Sequence, residues 1–157
     1  MRLLFDMNLL KRLCHPTSDP DAKAWFDRAL GYALRNPSVA LFISAVADYE
    51  LRRGYHWKLD RHVDEQKGLA RLDELCGALG VSAVTNEVFK DAARLWAEAR
   101  KGGYSTAAED RPEWDAVIAA QARVLNATVV TTNTRHLLRY GVDARDWSAI
   151  PIPADGP

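Results

Sequence analysis

Short apolar runs alternate with longer amphipathic stretches, and this alternation most constrains what the chain can fold into. Unbroken apolar runs of four or five residues are typical of strands buried on both faces, and intervening helical stretches join such strands in βαβ units. The pattern predicts an α/β fold, with a mostly parallel sheet of four or five strands covered by helices on both faces. The predicted strands are Arg2 to Phe5, Val39 to Ile43, Val81 to Val84, Thr128 to Thr132 and Trp147 to Ile150.

Local signals mark where the helices begin and end. Asp19 followed by Pro20 is a good helix start, because aspartate caps the first turn and proline fits the first helical position. Ser44 is likewise predicted to cap the helix that follows the second strand. Two apolar stripes at helical spacing end at glycines, Gly80 and Gly102. These stripes are interpreted as core-facing helix surfaces, not as cofactor-binding motifs.

The bulk composition favours one domain that needs no disulfide or structural metal. With 157 residues, 48% of them hydrophobic, the chain is long enough to bury a core of its own. We predict a single domain over residues 1–150 and a flexible tail over 151–157. Cys14 and Cys76 match no metal-ligand spacing and are interpreted as reduced thiols.

Charge and the N-terminal segment narrow the class of protein. The chain reaches an acid at Asp6 without a basic leader or a long apolar stretch, so we expect a soluble, cytoplasmic protein with no membrane contact. Its formal net charge is zero, whereas coating of nucleic acid by bulk electrostatics needs a basic excess. Any binding of phosphate must therefore be local.

Polar residues interrupt the apolar pattern at a few positions. Asp6 and Asn8 break the run "RLLFDMNLL" directly after the first predicted strand, and an unpaired buried carboxylate is costly. Glu50 takes an apolar position on the stripe of its helix, although a surface pair with Arg53 or Lys58 is the simpler explanation. Helix capping could likewise explain three acids at the start of a later helix, namely Asp110, Glu113 and Asp115.

The topology brings these positions together. Ligands of open parallel sheets bind at the carboxyl ends of the strands, where the strand order reverses. Asp6, Glu50, Asp115 and Asn133 can all converge on that edge. Two carboxylates about 4 Å apart repel by roughly 4 kcal/mol at an effective dielectric constant near 20, so three need a shared proton or a cation. Oxygen ligands favour Mg²⁺ or Mn²⁺ over zinc.

Four stretches, in order, resemble the signature of PIN-domain nucleases: "FDMNLL", "YELRRG", "WDAVIAAQA" and "VVTTNTRHL". Within that family the chain is most similar to VapC-type toxins of bacterial toxin–antitoxin pairs. The resemblance implies a three-layer α/β/α Rossmann-like fold and a ribonuclease that uses Mg²⁺ or Mn²⁺. It also implies that the metal ligands and catalytic residues are Asp6, Glu50 and Asp115.

The resemblance further assigns supporting roles to three polar residues. Asn8 and Thr131 match positions that orient Asp6 by hydrogen bonds, as outer-shell residues of metal sites do. Asn133 falls where many family members have an aspartate, which leaves the number of bound metals, one or two, open. The resemblance also implies an antitoxin partner and a homodimer. Trp25 and Phe26 could line a groove for that partner, although core packing explains them equally well.

Basic and aromatic residues near the acids are candidates for contact with an RNA substrate. The basic ones are Arg52, Arg53, His56, Lys58, Arg135, His136 and Arg139, of which Arg53 and Arg135 are the predicted substrate-binding residues. Tyr55 and Trp57 could stack on unpaired bases. An ordinary solvated surface is an equally good interpretation of these charges.

Other functions are open at this point. A non-catalytic PIN-like module that binds RNA or protein is one, and a housekeeping PIN nuclease without an antitoxin is another. A phosphatase or receiver-type domain would require two adjacent acids after the first strand or a late lysine at a strand end, and the sequence has neither. It also has no GxSxG or Walker-type motif.

Overall fold

A parallel sheet organises the computed structural model, which describes residues 1–15, 17, 19–58, 63–104 and 113–153. Its strands are β1 (Arg2–Phe5), β2 (Ala40–Ser44), β3 (Val81–Ser82), β4 (Thr128–Val130) and β5 (Ala144–Arg145). They lie in the order β3-β2-β1-β4-β5, and every neighbouring pair is parallel. The predicted α/β fold with a mostly parallel sheet is confirmed. The order reverses beside β1, because the chain adds β2 and β3 on one side and β4 and β5 on the other.

Helices cover both faces of this sheet. Leu4 and Phe5 are fully buried and point to opposite faces, since side chains alternate along a strand. Phe5 packs in a cluster with Phe26 and Leu72, whereas Leu4 packs in a second cluster with Ile118. The fold is therefore the three-layer α/β/α arrangement. The helices of the described residues are α1 (Met7–Cys14), α2 (Pro20–Arg35), α3 (Ala45–Lys58), α4 (Val63–Leu79), α5 (Asn86–Lys101), α6 (Trp114–Leu125), α7 (Thr134–Leu138) and a 3-10 helix at Trp147–Ala149.

Two predicted helix starts are confirmed. The Asp19 side chain accepts hydrogen bonds from the backbone N–H groups of Asp21 and Ala22, and Pro20 is the first residue of α2. Ser44 is the last residue of β2, and its Oγ accepts from the N–H of Val46 at 3.2 Å. These caps satisfy amides that lack partners in the first turn of a helix.

The predicted fifth strand is wrong. Residues 147–149 form a 3-10 helix, because the Asp146 carboxylate accepts hydrogen bonds from both the N–H and the hydroxyl of Ser148. The fifth strand is instead β5, which ends at Arg145, before the segment predicted to form it. After this turn, the Ile150 carbonyl accepts a hydrogen bond from the indole of Trp25 at 3.0 Å. β3 and β4 are also shorter than predicted and end at Ser82 and Val130.

Core packing is the correct interpretation of Trp25 and Phe26. Their side chains are 3% and 1% exposed and lie in the cluster around Phe5, so they cannot line a groove for a partner. Residues 154–157 of the predicted tail and the capping candidate Asp110 lie outside the described residues, and the single domain stays a prediction. In the stretches of chain that the structure describes, no helix combines the length and hydrophobicity needed to cross a membrane.

Candidate active site

Asp6 lies where β1 ends and α1 begins, beside the point where the strand order reverses. Its Oδ1 accepts a hydrogen bond from the N–H of Met7 at 2.6 Å, which makes it the N-cap of α1. Its Oδ2 accepts from the hydroxyl of Thr131 at 2.7 Å and from the amide nitrogen of Asn8 at 3.0 Å. The residue is only 8% exposed. Asp6 is therefore a nearly buried carboxylate whose two oxygens are both held in place.

Thr131 joins the end of β4 to this carboxylate. The side chain is 1% exposed, and its Oγ1 accepts a hydrogen bond from the N–H of Asn133 at 3.0 Å while donating to Asp6. The amide nitrogen of Asn8 lies 3.4 Å from the same hydroxyl. The two residues predicted to support Asp6 thus both contact it, and they connect β1 to β4 at the sheet edge.

Glu50 and Asp115 face the charge of Asp6. Glu50 is half-buried on α3, and burial followed by the negative charge of Asp6 raises its pKa above the ordinary value of 4.5. Asp115 lies in the first turn of α6, and its pKa is raised by burial and then by Asp6. The charge of Asp115 also raises the pKa of Glu50. Glu50 and Asp115 therefore both lie close enough to Asp6 to be affected by its charge, which a fully solvated Glu50 would not show.

Two basic side chains from α7 and its end lie close to Asp115. His136 Nδ1 and Arg139 Nη2 each lie 3.5 Å from its Oδ2. The Arg139 side chain is 14% exposed, and its Nε is buried without a hydrogen-bond partner. The signal in the sequence was the spacing of three between positions 136 and 139, which places both residues on one helix face.

The remaining residues that the sequence suggested for the site lie in several different environments. Asn133 is exposed at the N-cap position of α7, where its side chain makes no capping hydrogen bond, and Arg135 is exposed. Tyr55 is 5% exposed and packs in the core, so its predicted stacking on bases is wrong. Trp57 is 76% exposed. Ion pairs hold other predicted basic residues: Arg52 with Asp48 and Asp73, and Lys58 with Glu65.

The donor set suits a hard divalent cation. Neighbouring carboxylates gain from a shared cation, and oxygen ligands are those that Mg²⁺ and Mn²⁺ prefer. Within the ranges that the structure describes, however, no group of three or more His, Cys, Asp or Glu side chains has an arrangement that could hold a metal ion. Asp115 in particular faces Arg139 and His136. The chemistry of the residues fits a cation, whereas the placement of the side chains requires adjustment on binding.

Fold and site together define a three-layer α/β protein with an acidic centre at the carboxyl edge of a parallel sheet. The chain belongs to the PIN domain family, which it matches over residues 12–142. Asp6 and Asn8 precede that range, whereas Glu50, Asp115 and Thr131 lie within it. No curated protein matches the chain.

Several solved structures share the fold. A structure of FitAB bound to an IR36 DNA fragment has a TM-score of 0.74 at 20% identity, with 95% of this chain and 97% of that chain covered. VapBC2 from Rickettsia felis, bound to a DNA fragment from its promoter, has a TM-score of 0.71 at 18% identity and coverages of 94% and 99%. FitAcB from Neisseria gonorrhoeae has a TM-score of 0.69 at 21% identity, with the same coverages. At these identities the likeness shows a shared fold.

Proposed function

We propose that this chain is an endoribonuclease that hydrolyses RNA phosphodiesters with Mg²⁺ or Mn²⁺. One observation carries the proposal: in a PIN domain, burial and then the charge of the anchored Asp6 carboxylate raise the pKa of both Glu50 and Asp115. Repulsion of this kind lowers stability at neutral pH. Acids with only a structural role gain nothing from it, whereas acids that bind a cation tolerate it because the bound cation offsets the repulsion.

In this proposal, some residues of the site hold the metal and others orient its ligands. Asp6, Glu50 and Asp115 would hold the metal, which when bound supplies a more acidic water and neutralises charge on the phosphate. Asn8 and Thr131 fix the orientation of Asp6 through the bonds to its Oδ2. No side chain acts as the nucleophile in this proposal.

Cations beside the acids bind the substrate phosphate. The Arg139 guanidinium lies 3.5 Å from Asp115, on the same edge as His136. Arg53 follows Glu50 by three residues. Its positive charge lowers the pKa of Glu50, whereas burial and the charge of Asp6 raise it. Arg135 is exposed on the same short helix and is proposed as a further contact. Arginine suits this role because its planar fork matches phosphate oxygens.

We also propose that the chain is the cytoplasmic toxin of a toxin–antitoxin pair. The support is the shared fold with VapBC and FitAB structures, three of which contain DNA. A protein antitoxin would then bind over the acidic centre, and the toxin itself would be a homodimer. A housekeeping nuclease without an antitoxin is the competing assignment.

An RNA cleavage assay tests the nuclease activity. The purified chain is incubated with RNA and Mg²⁺ or Mn²⁺, beside Asp6→Asn, Asp115→Asn and the matched control Asp143→Asn. Asp143 is a surface acid paired with Arg145, so its variant should cut like the parent chain. Each of the other two should lose at least 100-fold in rate, as expected when a metal ligand is removed. Equal cutting by all four proteins would refute the site.

Expression in cells tests the toxin assignment. A toxin arrests growth, and Asp115→Asn at equal expression restores it. Growth that continues with an active nuclease would instead identify a housekeeping enzyme.

A non-catalytic binding module is a second candidate function. It is favoured by the absence, in the described ranges, of a side-chain group arranged for a metal, together with the exposed amide of Asn133. That function predicts RNA or protein binding with no cleavage under any divalent metal. The cleavage assay separates the two, provided that binding of the same RNA is measured in parallel.

A further inference from the structure

A fully buried glutamine lies in the second half of α6. Gln121 is 0% exposed, and its Oε1 accepts a hydrogen bond from the Ser44 hydroxyl at 2.7 Å. Its Nε2 donates to the backbone carbonyl of Ser82 at 2.6 Å. Ser44 ends β2 and Ser82 ends β3, so this one side chain joins α6 to the carboxyl ends of two neighbouring strands. The acids of the candidate site lie at the same edge of the sheet.

Two contacts show that α3 and α6 run in opposite directions. Ser44, just before the first residue of α3, bonds to Gln121 in the second half of α6. Farther along α3, the ring of Tyr49 packs on the ring of Trp114 at the start of α6, with 6.2 Å between the ring centroids. A later position on one helix thus meets an earlier position on the other, which is the pattern of antiparallel packing.

This arrangement places Glu50 level with Asp115. Glu50 lies six residues after Ser44, and Asp115 lies six residues before Gln121. Six residues of an α-helix advance by about 9 Å, so equal steps in opposite directions end at the same height. The negative charge of Asp115 raises the pKa of Glu50, in agreement with this placement. The register that joins Ser44 to Gln121 therefore also brings the two acids opposite each other.

Apolar packing alone specifies this register weakly. Much of the buried surface of α6 is alanine, in the same cluster as Val46 of α3: Ala116, Ala119, Ala120 and Ala122. Such small side chains form shallow ridges and grooves, which constrain the sliding of one helix along another less than large side chains do. A buried polar residue specifies one register, as it does in coiled coils, because its amide would lack hydrogen-bond partners in every other register.

We propose that Gln121 is a positioning residue of the acidic centre. Its hydrogen bonds to Ser44 and Ser82 fix the register of α6 against α3 and the sheet, and so hold Asp115 opposite Glu50. The consequence for catalysis rests on the proposed nuclease function. Gln121 itself touches neither metal nor RNA and acts only through the position of its helix.

Fluorine NMR tests the register without metal or RNA. The chain is labelled with 5-fluorotryptophan, and Trp114→Phe identifies the signal of Trp114, which depends on the neighbouring ring of Tyr49. Gln121→Met keeps an unbranched side chain of similar length and removes both hydrogen bonds. We expect it to move the Trp114 signal towards its position in Tyr49→Leu, where the ring contact is absent.

A purely structural role for Gln121 is the competing interpretation, and Leu72→Ala is the matched control for it. Leu72 is fully buried in the cluster on the sheet face opposite to α6, and its truncation leaves a cavity. The control should lower Tm to a similar extent as Gln121→Met. It should nevertheless leave the Trp114 signal unchanged, because it breaks no bond between α3 and α6.

Calorimetric titration with Mn²⁺ then measures the effect on the acids. We expect Gln121→Met to weaken Mn²⁺ binding about tenfold, as for residues that orient metal ligands, and Leu72→Ala to stay within about twofold of the wild-type chain. Ser44→Ala removes the same hydrogen bond from the other side, so the double variant should bind about as well as the weaker single variant. Thr85→Ala removes the cap of α5 and controls for the loss of a helix cap. In RNA cleavage, Gln121→Met should lower kcat and leave KM within about twofold.

Four results would overturn the positioning role. They are an unchanged Trp114 signal in Gln121→Met and Ser44→Ala, an equal change of that signal in Leu72→Ala, wild-type Mn²⁺ affinity in both variants, or effects on affinity that multiply in the double variant. If Gln121→Met does not fold, Ser44→Ala supplies the same comparison, because it keeps the bond to Ser82. A wild-type chain that binds no Mn²⁺, although Gln121→Met moves the Trp114 signal, would instead refute the metal-dependent nuclease and leave the helix register dependent on Gln121.

Discussion

Replacing Thr131 with valine tests how the fold holds Asp6 in place. Valine has nearly the same shape as threonine, and position 131 is 1% exposed, so the packing is kept while the hydroxyl is lost. The Asp6 Oδ2 loses its shortest hydrogen bond, 2.7 Å, and the backbone N–H of Asn133 loses its acceptor at 3.0 Å. The variant therefore removes one bond to a charged group and one to the backbone.

The expected destabilisation follows from these two bonds. A hydrogen bond to a charged group contributes about 1.5–3 kcal/mol, and an ordinary one about 0.5–1.5 kcal/mol. Asn8 still donates to the same oxygen of Asp6 at 3.0 Å and offsets part of the loss. We expect the free energy of unfolding to fall by about 2–3 kcal/mol. For a chain of this size, that corresponds to a decrease in Tm of about 4–12 °C.

Urea unfolding at neutral pH measures this change, and Thr128→Val is the matched control. The hydroxyl of Thr128 donates to the Asp143 carboxylate at 2.8 Å, the same kind of bond at an exposed site, and its loss should cost about 0.5 kcal/mol or less. RNA cleavage by Thr131→Val should fall by about 10–100-fold, as for other residues that orient a metal ligand. Equal destabilisation by the two variants would refute the reasoning, because burial of the site would then make no difference.

Three further substitutions test other sites in the fold, one predicted to stabilise the chain and two to destabilise it. Glu50→Gln should raise the free energy of unfolding at neutral pH by no more than about 1 kcal/mol in thermal or urea melts, because it removes a half-buried, solvent-screened charge that Asp6 repels. Gln121→Leu should lower it by about 2–4 kcal/mol in the same melts, because the fully buried amide oxygen accepts from the Ser44 hydroxyl at 2.7 Å. Gly68→Ala should lower Tm by several degrees, because its Cβ would lie 2.7 Å from the Tyr55 ring.

The pH dependence of the stability gained by Glu50→Gln tests whether that gain is electrostatic. A raised carboxyl pKa means that the folded chain keeps a proton that the unfolded chain has released. The stability of the parent chain therefore falls as pH rises from the ordinary value of 4.5 through the raised pKa of Glu50. The gain from Glu50→Gln should be absent below about pH 4 and complete at neutral pH. Glu98→Gln, at an exposed acid 3.7 Å from Arg94, should give no such gain. A gain from Glu50→Gln that is equal at all pH values would contradict an electrostatic origin.

Much of the fold could be predicted because its signals are local. The helix starts at Asp19 and Ser44 depend on side chains that bond to the next turn, and those bonds require no distant partner. The segment from Trp147 to Ile150 has the apolar sequence pattern of a strand. Its true conformation depends on the cap at Asp146 and on the distant indole of Trp25, which periodicity cannot show.

The features of the candidate site also differ in whether they could be predicted from the local sequence or depend on tertiary packing. The proximity of Asp6, Glu50 and Asp115 could be predicted because acids in an apolar pattern are conspicuous and the topology of a parallel sheet brings strand ends together. Tyr55 was misassigned because its position four residues after Leu51 places it on the buried face of α3. The pairing of Tyr49 with Trp114 depends on how two distant helices cross, and nothing in either stretch alone specifies that crossing.

Calorimetric titration with Mn²⁺ tests the central claim most directly, since that claim is a cation site formed by Asp6, Glu50 and Asp115. The titration compares the wild-type chain with Asp115→Asn and with Asp143→Asn, the surface control. We predict saturable binding to the wild-type and control chains and an affinity at least tenfold weaker for Asp115→Asn. Equal affinities in all three proteins, or no binding to the wild-type chain, would contradict the account.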